Sequence, residues 1–175
     1  VVEIIEVRDS DLEYLAANLR ECDLREIRAA NGPLVDPWFA LKGSVRASDE
    51  AFVGLVDGVP FCVFGVYRNP RQPWMGIVWM LGTKDFSRRS VMRQISMLSS
   101  YYIEGWLQEY DVLMNFVAVE NDVAVKWLRR VGFEIGDPVV HGVDKSLFHP
   151  FCITRSLKGL EPLDTEERLN LCSQE

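Results

Sequence analysis

The sequence predicts a single α/β domain, an α+β mixture built around a mixed sheet, and three observations carry that reading. The elements alternate as a strand, two or three helices, three strands, a long helix, a strand, a helix and two further strands. At 175 residues with 48% hydrophobic side chains, the chain is long enough to bury one core without staples. No repeat and no linker interrupts it between residues 1 and 157, which are read as the domain, with 158–175 as a tail.

Val2 to Val7 alternates apolar and acidic residues and reads as the first strand. Ser10 and Glu13 are spaced as a capping box ahead of Leu12, Leu15, Ala16 and Leu19, which share one helical face. A second helix is expected from Asp23, stopping at Asn31-Gly32-Pro33. Asp36-Pro37 reads as N-cap and first position of a third, carrying Trp38, Phe39, Leu41 and Val45. Phe52–Val56 and Phe61–Tyr67 are strand-like runs joined by Asp57-Gly58, a two-residue hairpin signal, with Pro60 at a strand start.

Trp74 to Leu81 is a further strand, and Gly76 within it marks a bulge or a close backbone approach. The longest helix is expected from about Lys84 to Tyr110, with Val91, Ile95, Leu98, Tyr102 and Trp106 on its inner face. Leu113–Val119 is a strand, and Glu120-Asn121-Asp122 a polar turn. The next helix has Ala124, Trp127, Leu128 and Val131 at i, i+3, i+4, i+7, and Gly132 stands where a left-handed cap is wanted. Phe133–Ile135 and Phe148–Thr154 close the pattern. In the tail, Asp164 and Glu167 are spaced to cap a short docking helix.

The net charge of −7 excludes non-specific nucleic-acid binding as a leading function, because phosphate would be repelled. No apolar run approaches the ~20 residues of a membrane span. The N-terminus, VVEIIEVRDSD, lacks the regions of a signal peptide, so a soluble protein, intracellular at synthesis, is expected. Cys22, Cys62, Cys152 and Cys172 are widely spaced and read as reduced, mostly buried thiols. With only His141 and His149 beside them, no metal-ligand spacing exists and no metal is expected.

The order of elements, together with Asn121-x-x-Ala124-x-x-x-Leu128-x-x-x-Gly132-Phe133, resembles the GCN5-related N-acetyltransferase (GNAT) superfamily. The stretches LAANLRECDLREIRAANG, FVGLVDGVPFCVFGV, WMLGT, WLRRVGF and HPF look more narrowly like the GNAT-like, internal virion proteins of short-tailed bacteriophages. The resemblance implies a central mixed, mostly antiparallel twisted sheet of about six to seven strands flanked by helices. It also implies acetyl-CoA as the cofactor, held by backbone N–H groups in the loop after the fourth strand.

On this chain the implied cofactor residues are Leu81, Gly82, Thr83, Lys84, Arg88, Arg89, Arg93 and Asn121. Cations in the first turns of a helix oppose its dipole, so Lys84, Arg88, Arg89 and Arg93 point to an anion nearby; they also fit a solvated basic face. Asn121 matches the residue that bonds the pantetheine arm, and as a helix N-cap it needs no ligand. The family's second loop glycine is absent, and Leu128 stands where the family places a tyrosine acid. Trp127 is expected to point about 100° away from that position.

Glu120 and His149 are the candidate bases, Glu120 at a strand end and His149 ahead of the last strand. Two functions follow. One is a virion-associated or partner-binding phage protein with a degenerate acetyl-CoA site, contacting phage structural or host proteins through its tail. Its expected location is the host cytoplasm at synthesis, with packaging in the virion. The alternative is an active acetyl-CoA-dependent N-acetyltransferase acting on a small amine or a protein amine.

Overall fold

The computed structural model describes residues 1–155; the tail at 158–175 and the docking helix expected in it lie outside the described residues. Strand β1 (Val2–Glu6) is followed by helices α1 (Asp9–Asn18), α2 (Glu21–Asn31) and α3 (Pro37–Ala47). Strands β2 (Glu50–Val56), β3 (Val59–Arg68) and β4 (Met75–Gly82) come next. A 3-10 turn (Lys84–Ser87) leads into α4 (Arg89–Glu109), β5 (Val112–Ala118) and α5 (Asp122–Arg130). Strands β6 (Glu134–Ile135), β7 (Val139–His141) and β8 (Ser146–Thr154) end the described chain.

The sheet has 8 strands in the order β1-β2-β3-β4-β5-β8-β6, with β7 also on β8. Every pairing is antiparallel except β4 with β5. The expected mixed, mostly antiparallel sheet is present with one strand more than predicted. The extra strand is β7, whose Val-Val-His is too short to show a period; it exists because Val139–His141 pairs with Phe148–Ser146.

Local chemistry explains most boundaries. Asp57 and Gly58 both have positive φ, 51° and 78°, as the twisted two-residue turn between β2 and β3 requires. Asp36 accepts a hydrogen bond from Trp38 N at 2.8 Å and caps α3. Gly132, at φ 101°, ends the α5 unit. Gly76 is a close approach: a Cβ there would lie 2.9 Å from both Leu113 and Tyr110.

Three boundaries differ from expectation. Helix α1 starts at Asp9 without a side-chain cap, because Asp11 is buried and takes two hydrogen bonds from Arg8, at 2.8 Å each. Helix α2 starts at Glu21, which frees Asp23 to turn inward. The long helix does not begin at Lys84: Thr83 caps a 3-10 turn, Phe86 dives into the core at 2% exposure, and Arg88 is extended before α4 starts.

Helices α1 and α3 cover one face of the sheet, where Leu12, Leu15 and Leu41 pack on Val53, Leu55 and Val63. Helices α4 and α5 cover the other, where Val91, Ile95, Ile103, Trp106, Val125 and Leu128 meet Phe64, Val66, Leu113 and Val117. Cys62 and Cys152 are buried and Cys22 is half-buried. No described helix is long and apolar enough to cross a membrane.

Candidate functional site

The site comes from a break in the sheet. Strands β4 and β5 pair in parallel only from Met75 to Ile77 against Val112 to Met114, and then diverge. Asn115 stands at the fork: its Nδ2 donates to Val78 O at 2.8 Å, and its Oδ1 accepts from Phe116 N at 2.8 Å. Beyond it, Val78, Met80 and Gly82 of β4 turn their backbone groups toward the gap, since Thr83 N faces β3 and successive residues alternate. On β5 the gap-facing residues are Phe116 and Ala118, because Val119 N donates to Leu147 O on the β8 side.

Most of these groups are taken by α2. Asp23 Oδ2 accepts from Gly82 N at 2.8 Å, and Arg20 N donates to Gly82 O at 3.0 Å. Glu26 Oε1 accepts from Ala118 N at 3.2 Å and from Asn121 Nδ2 at 3.1 Å. Asp23 is 1% exposed and balanced by the Arg20 guanidinium, which bonds both its oxygens at 2.8 and 2.9 Å. Complete backbone accounting leaves Met80 N–H, Met80 C=O and Phe116 C=O as the gap-facing groups that no described side chain claims.

A cavity of about 270 Å³ occupies the gap and reaches both faces of the sheet. On the α2–α3 side its wall carries Arg20, Asp23, Glu26, Asn31 and Ser44, and on the α4–α5 side Phe64, Ile95, Tyr102, Ile103 and Leu128. Burial pushes the Glu26 carboxyl above its ordinary value; the Asn121 hydrogen bond opposes the rise and the Asp23 charge adds to it. His141 stacks on Phe116 with ring centres 3.9 Å apart, and burial lowers its pKa.

The cofactor residues expected from the sequence are only partly brought together. Leu81 lines the cavity, while Gly82 and Thr83 are buried and engaged: Thr83 N donates to Phe61 O at 2.8 Å. Lys84, Arg88, Arg89 and Arg93 are exposed around the start of α4. Arg88 reaches Asp85 at 3.7 Å; Lys84, Arg89 and Arg93 form no ion pair with any described residue. The N-cap residue of α4, Arg88, makes no side-chain cap, so among the described residues the helix's first N–H groups stay open near those cations. Asn121 is buried, caps α5 through Ala124 N at 3.3 Å and lines the cavity.

The two candidate bases lie elsewhere. Glu120 has a side chain 81% exposed and pairs with Arg25 at 3.4 Å, outside the cavity lining. It follows the end of β5, where the chain turns outward. His149 has Nδ1 2.8 Å from Gly136 O and also lies outside the lining. Glu26 and His141, which the sequence did not single out as bases, line the cavity. Glu26 was hidden because its helix reads as an ordinary polar surface; a carboxylate one turn beyond the inward Asp23 was the available signal.

Trp127 precedes Leu128 on α5. Both it and Leu128 line the cavity. Its ring meets Phe86 edge-on at 6.1 Å, and its Nε1 is buried without an acceptor among the described residues.

No protein-family model matches the sequence, and no curated protein does. The fold does match solved structures. A GNAT-family acetyltransferase from Bacillus anthracis superposes with TM-score 0.65 at 8% identity, over 89% of this chain and 96% of that one. Spermidine N-acetyltransferase from Vibrio cholerae, solved with CoA and spermine, gives TM-score 0.63 at 14% identity, covering 89% and 96%. A GNAT-family acetyltransferase from Streptococcus pneumoniae gives 0.59 at 15%, covering 88% and 99%. The chain has the GNAT fold, as its order of elements implied.

Proposed function

We propose that this GNAT-fold protein binds an acyl-coenzyme A in the β4–β5 gap and transfers the acyl group to an amine. The observation that carries the reading is the gap itself: a cavity of about 270 Å³ whose lining includes Phe86 and Ile95, the residues that flank the cation-rich start of α4 in sequence. The residues fit such a donor at three points. Open N–H groups of α4, with Lys84, Arg88, Arg89 and Arg93, suit a pyrophosphate. Met80 N–H, Met80 C=O and Phe116 C=O suit the amides of a pantetheine arm. Phe86, Trp127 and Leu128 on the lining suit the methylene carbons of that arm.

When bound, acyl-coenzyme A supplies a thioester carbon open to nucleophilic attack. Glu26 is the base. Its carboxylate is fixed by Ala118 N and Asn121 Nδ2 through Oε1, and burial raises its pKa toward the range a base needs near neutrality. The amine approaches from the α2–α3 side, where the polar groups of the cavity lie. Glu26 is placed to take the amine's proton; the bound thioester would supply the acyl carbon for the new C–N bond, and the C–S electron pair would leave with sulfur. Exclusion of water by Phe116, His141 and Phe148 strengthens each of these contacts.

A second reading is favoured by one observation each at the two ends of the gap. Asp23 already holds Gly82 N–H, and Leu128 offers no proton to a leaving group. Under that reading the chain is a partner-binding, virion-associated protein with an idle site. Titration calorimetry with coenzyme A separates the two. Micromolar binding, lost when salt is raised, supports the acyltransferase; no heat at sub-millimolar concentration overturns it in favour of the idle site.

A further inference from the structure

The two sides of the cavity differ in chemistry. Its charged and amide groups, Asp23, Glu26, Asn31 and Asn121 among them, gather at the gap and on the α2–α3 side. On the α4 side the cavity continues beneath the helix, and its wall there is Phe64, Val78, Ile95, Leu98, Ile103 and Phe151. The α4 residues that line it run from Ile95 to Trp106, about 16 Å along the helix axis.

Two polar atoms on this branch are already satisfied, and a third, the Tyr102 hydroxyl, sits on a half-buried ring clustered with Phe52, Phe64 and Trp106. Ser99 Oγ donates to Ile95 O at 2.6 Å, within its own helix. Trp106 Nε1 donates to Glu50 Oε2 at 2.8 Å. A branch walled by aliphatic and aromatic carbon offers water too few partners to stay, and cavities of that kind take apolar ligands. An acetyl group carries one methyl and has no use for a branch of this length.

We propose that the α4-side branch is an acyl pocket, and that the donor substrate is an acyl-coenzyme A with a straight chain longer than acetyl. The inference rests on the acyltransferase reading and names the donor's class. The thioester stays at the gap, level with Met80 and Phe116, so the bond balance of the transfer is unchanged. Only the chain beyond the carbonyl carbon enters the branch. Ile103 and Trp106 mark its far end, and Ser99, the smallest side chain on its α4 wall, leaves the width a chain needs.

The test is a series of dissociation constants for coenzyme A, acetyl-, butyryl- and hexanoyl-coenzyme A, measured by calorimetry on the full chain. Each methylene buried in the branch tightens binding about fourfold, equal to about 0.8 kcal/mol. The expected gain from acetyl to hexanoyl is therefore at least about tenfold, allowing for imperfect burial. In Ser99→Leu, which fills the branch, the gain disappears while affinity for coenzyme A itself stays the same; circular dichroism checks its fold. Coenzyme A binding with a flat or falling series in the wild type overturns the acyl pocket and leaves the acyltransferase reading standing. Absence of coenzyme A binding overturns both.

Discussion

Replacing Glu26 by glutamine isolates its charge from its hydrogen bonds. Both donors that reach the side chain, Ala118 N at 3.2 Å and Asn121 Nδ2 at 3.1 Å, meet the same oxygen, Oε1. An amide oxygen in that place accepts both, so α2 remains docked on the gap. The proton acceptor is what is lost. A positioned base contributes on the order of 10²–10⁴ in rate, so kcat/KM falls at least about a hundredfold in Glu26→Gln. Affinity for coenzyme A, set at the α4 start and the backbone of β4, changes by less than about twofold.

The pH dependence carries the sign. Transfer needs the ionised carboxylate, so wild-type kcat/KM climbs as pH rises through the raised pKa of Glu26. That limb vanishes in the variant. For stability, a carboxyl raised in the folded state contributes fully below its unfolded pKa, and that contribution is lost as pH rises through the folded value. Glu26→Gln therefore gains melting temperature over the wild type at about pH 8 and not at about pH 4. Release of coenzyme A thiol, followed by a chromogenic disulfide, and thermal melts at both pH values read these outcomes. A variant with the wild-type rate and profile refutes Glu26 as the base.

Arg88→Ala combined with Arg89→Ala weakens coenzyme A binding about tenfold at low salt, equal to about 1.4 kcal/mol, and the difference shrinks at about 1 M salt. Calorimetry at two ionic strengths checks it. Arg20→Met strands the Asp23 carboxylate, 1% exposed, without its partner; urea unfolding should show a loss of about 3–5 kcal/mol. Gly65→Ala places a Cβ 2.4 Å from Glu50 O, a backbone atom that cannot swing aside. A loss of about 1–3 kcal/mol is expected in the same assay.

The fold was legible because its signals are local. Asp57-Gly58, Asp36-Pro37 and Asn121 through Gly132 each encode a turn or cap whose geometry their own side chains enforce. The site was less legible because it depends on where helices land. Nothing near Glu26 in sequence predicts that Ala118, 92 positions away, will present an N–H to it. Glu120 shows the same dependence in reverse: it follows the end of β5, but its side chain is exposed and Arg25 meets it at the surface. The break in the long helix falls at Phe86, which stands five positions before Val91, about 140° off its face in a helix, and reaches the core through a 3-10 turn.

The substitution at Leu128 weighs less against chemistry in the structure than in the sequence. A tyrosine there would serve to protonate a departing thiolate. A thiol of ordinary pKa near 8.5 is a good leaving group close to neutral pH, so what the step requires is stabilisation of charge more than delivery of a proton. Trp127 is one residue away, about 100° round α5, and lines the cavity beside Leu128. An indole N–H holds its proton, yet it donates a hydrogen bond well, and this one is buried with no acceptor among the described residues. A buried donor left unmet costs about 1–3 kcal/mol, and this one is enclosed by protein atoms away from the open cavity. Leu128 carries no proton to give and the Trp127 indole N–H is enclosed, so a transfer at this site would rest on a thiolate that leaves without an acid.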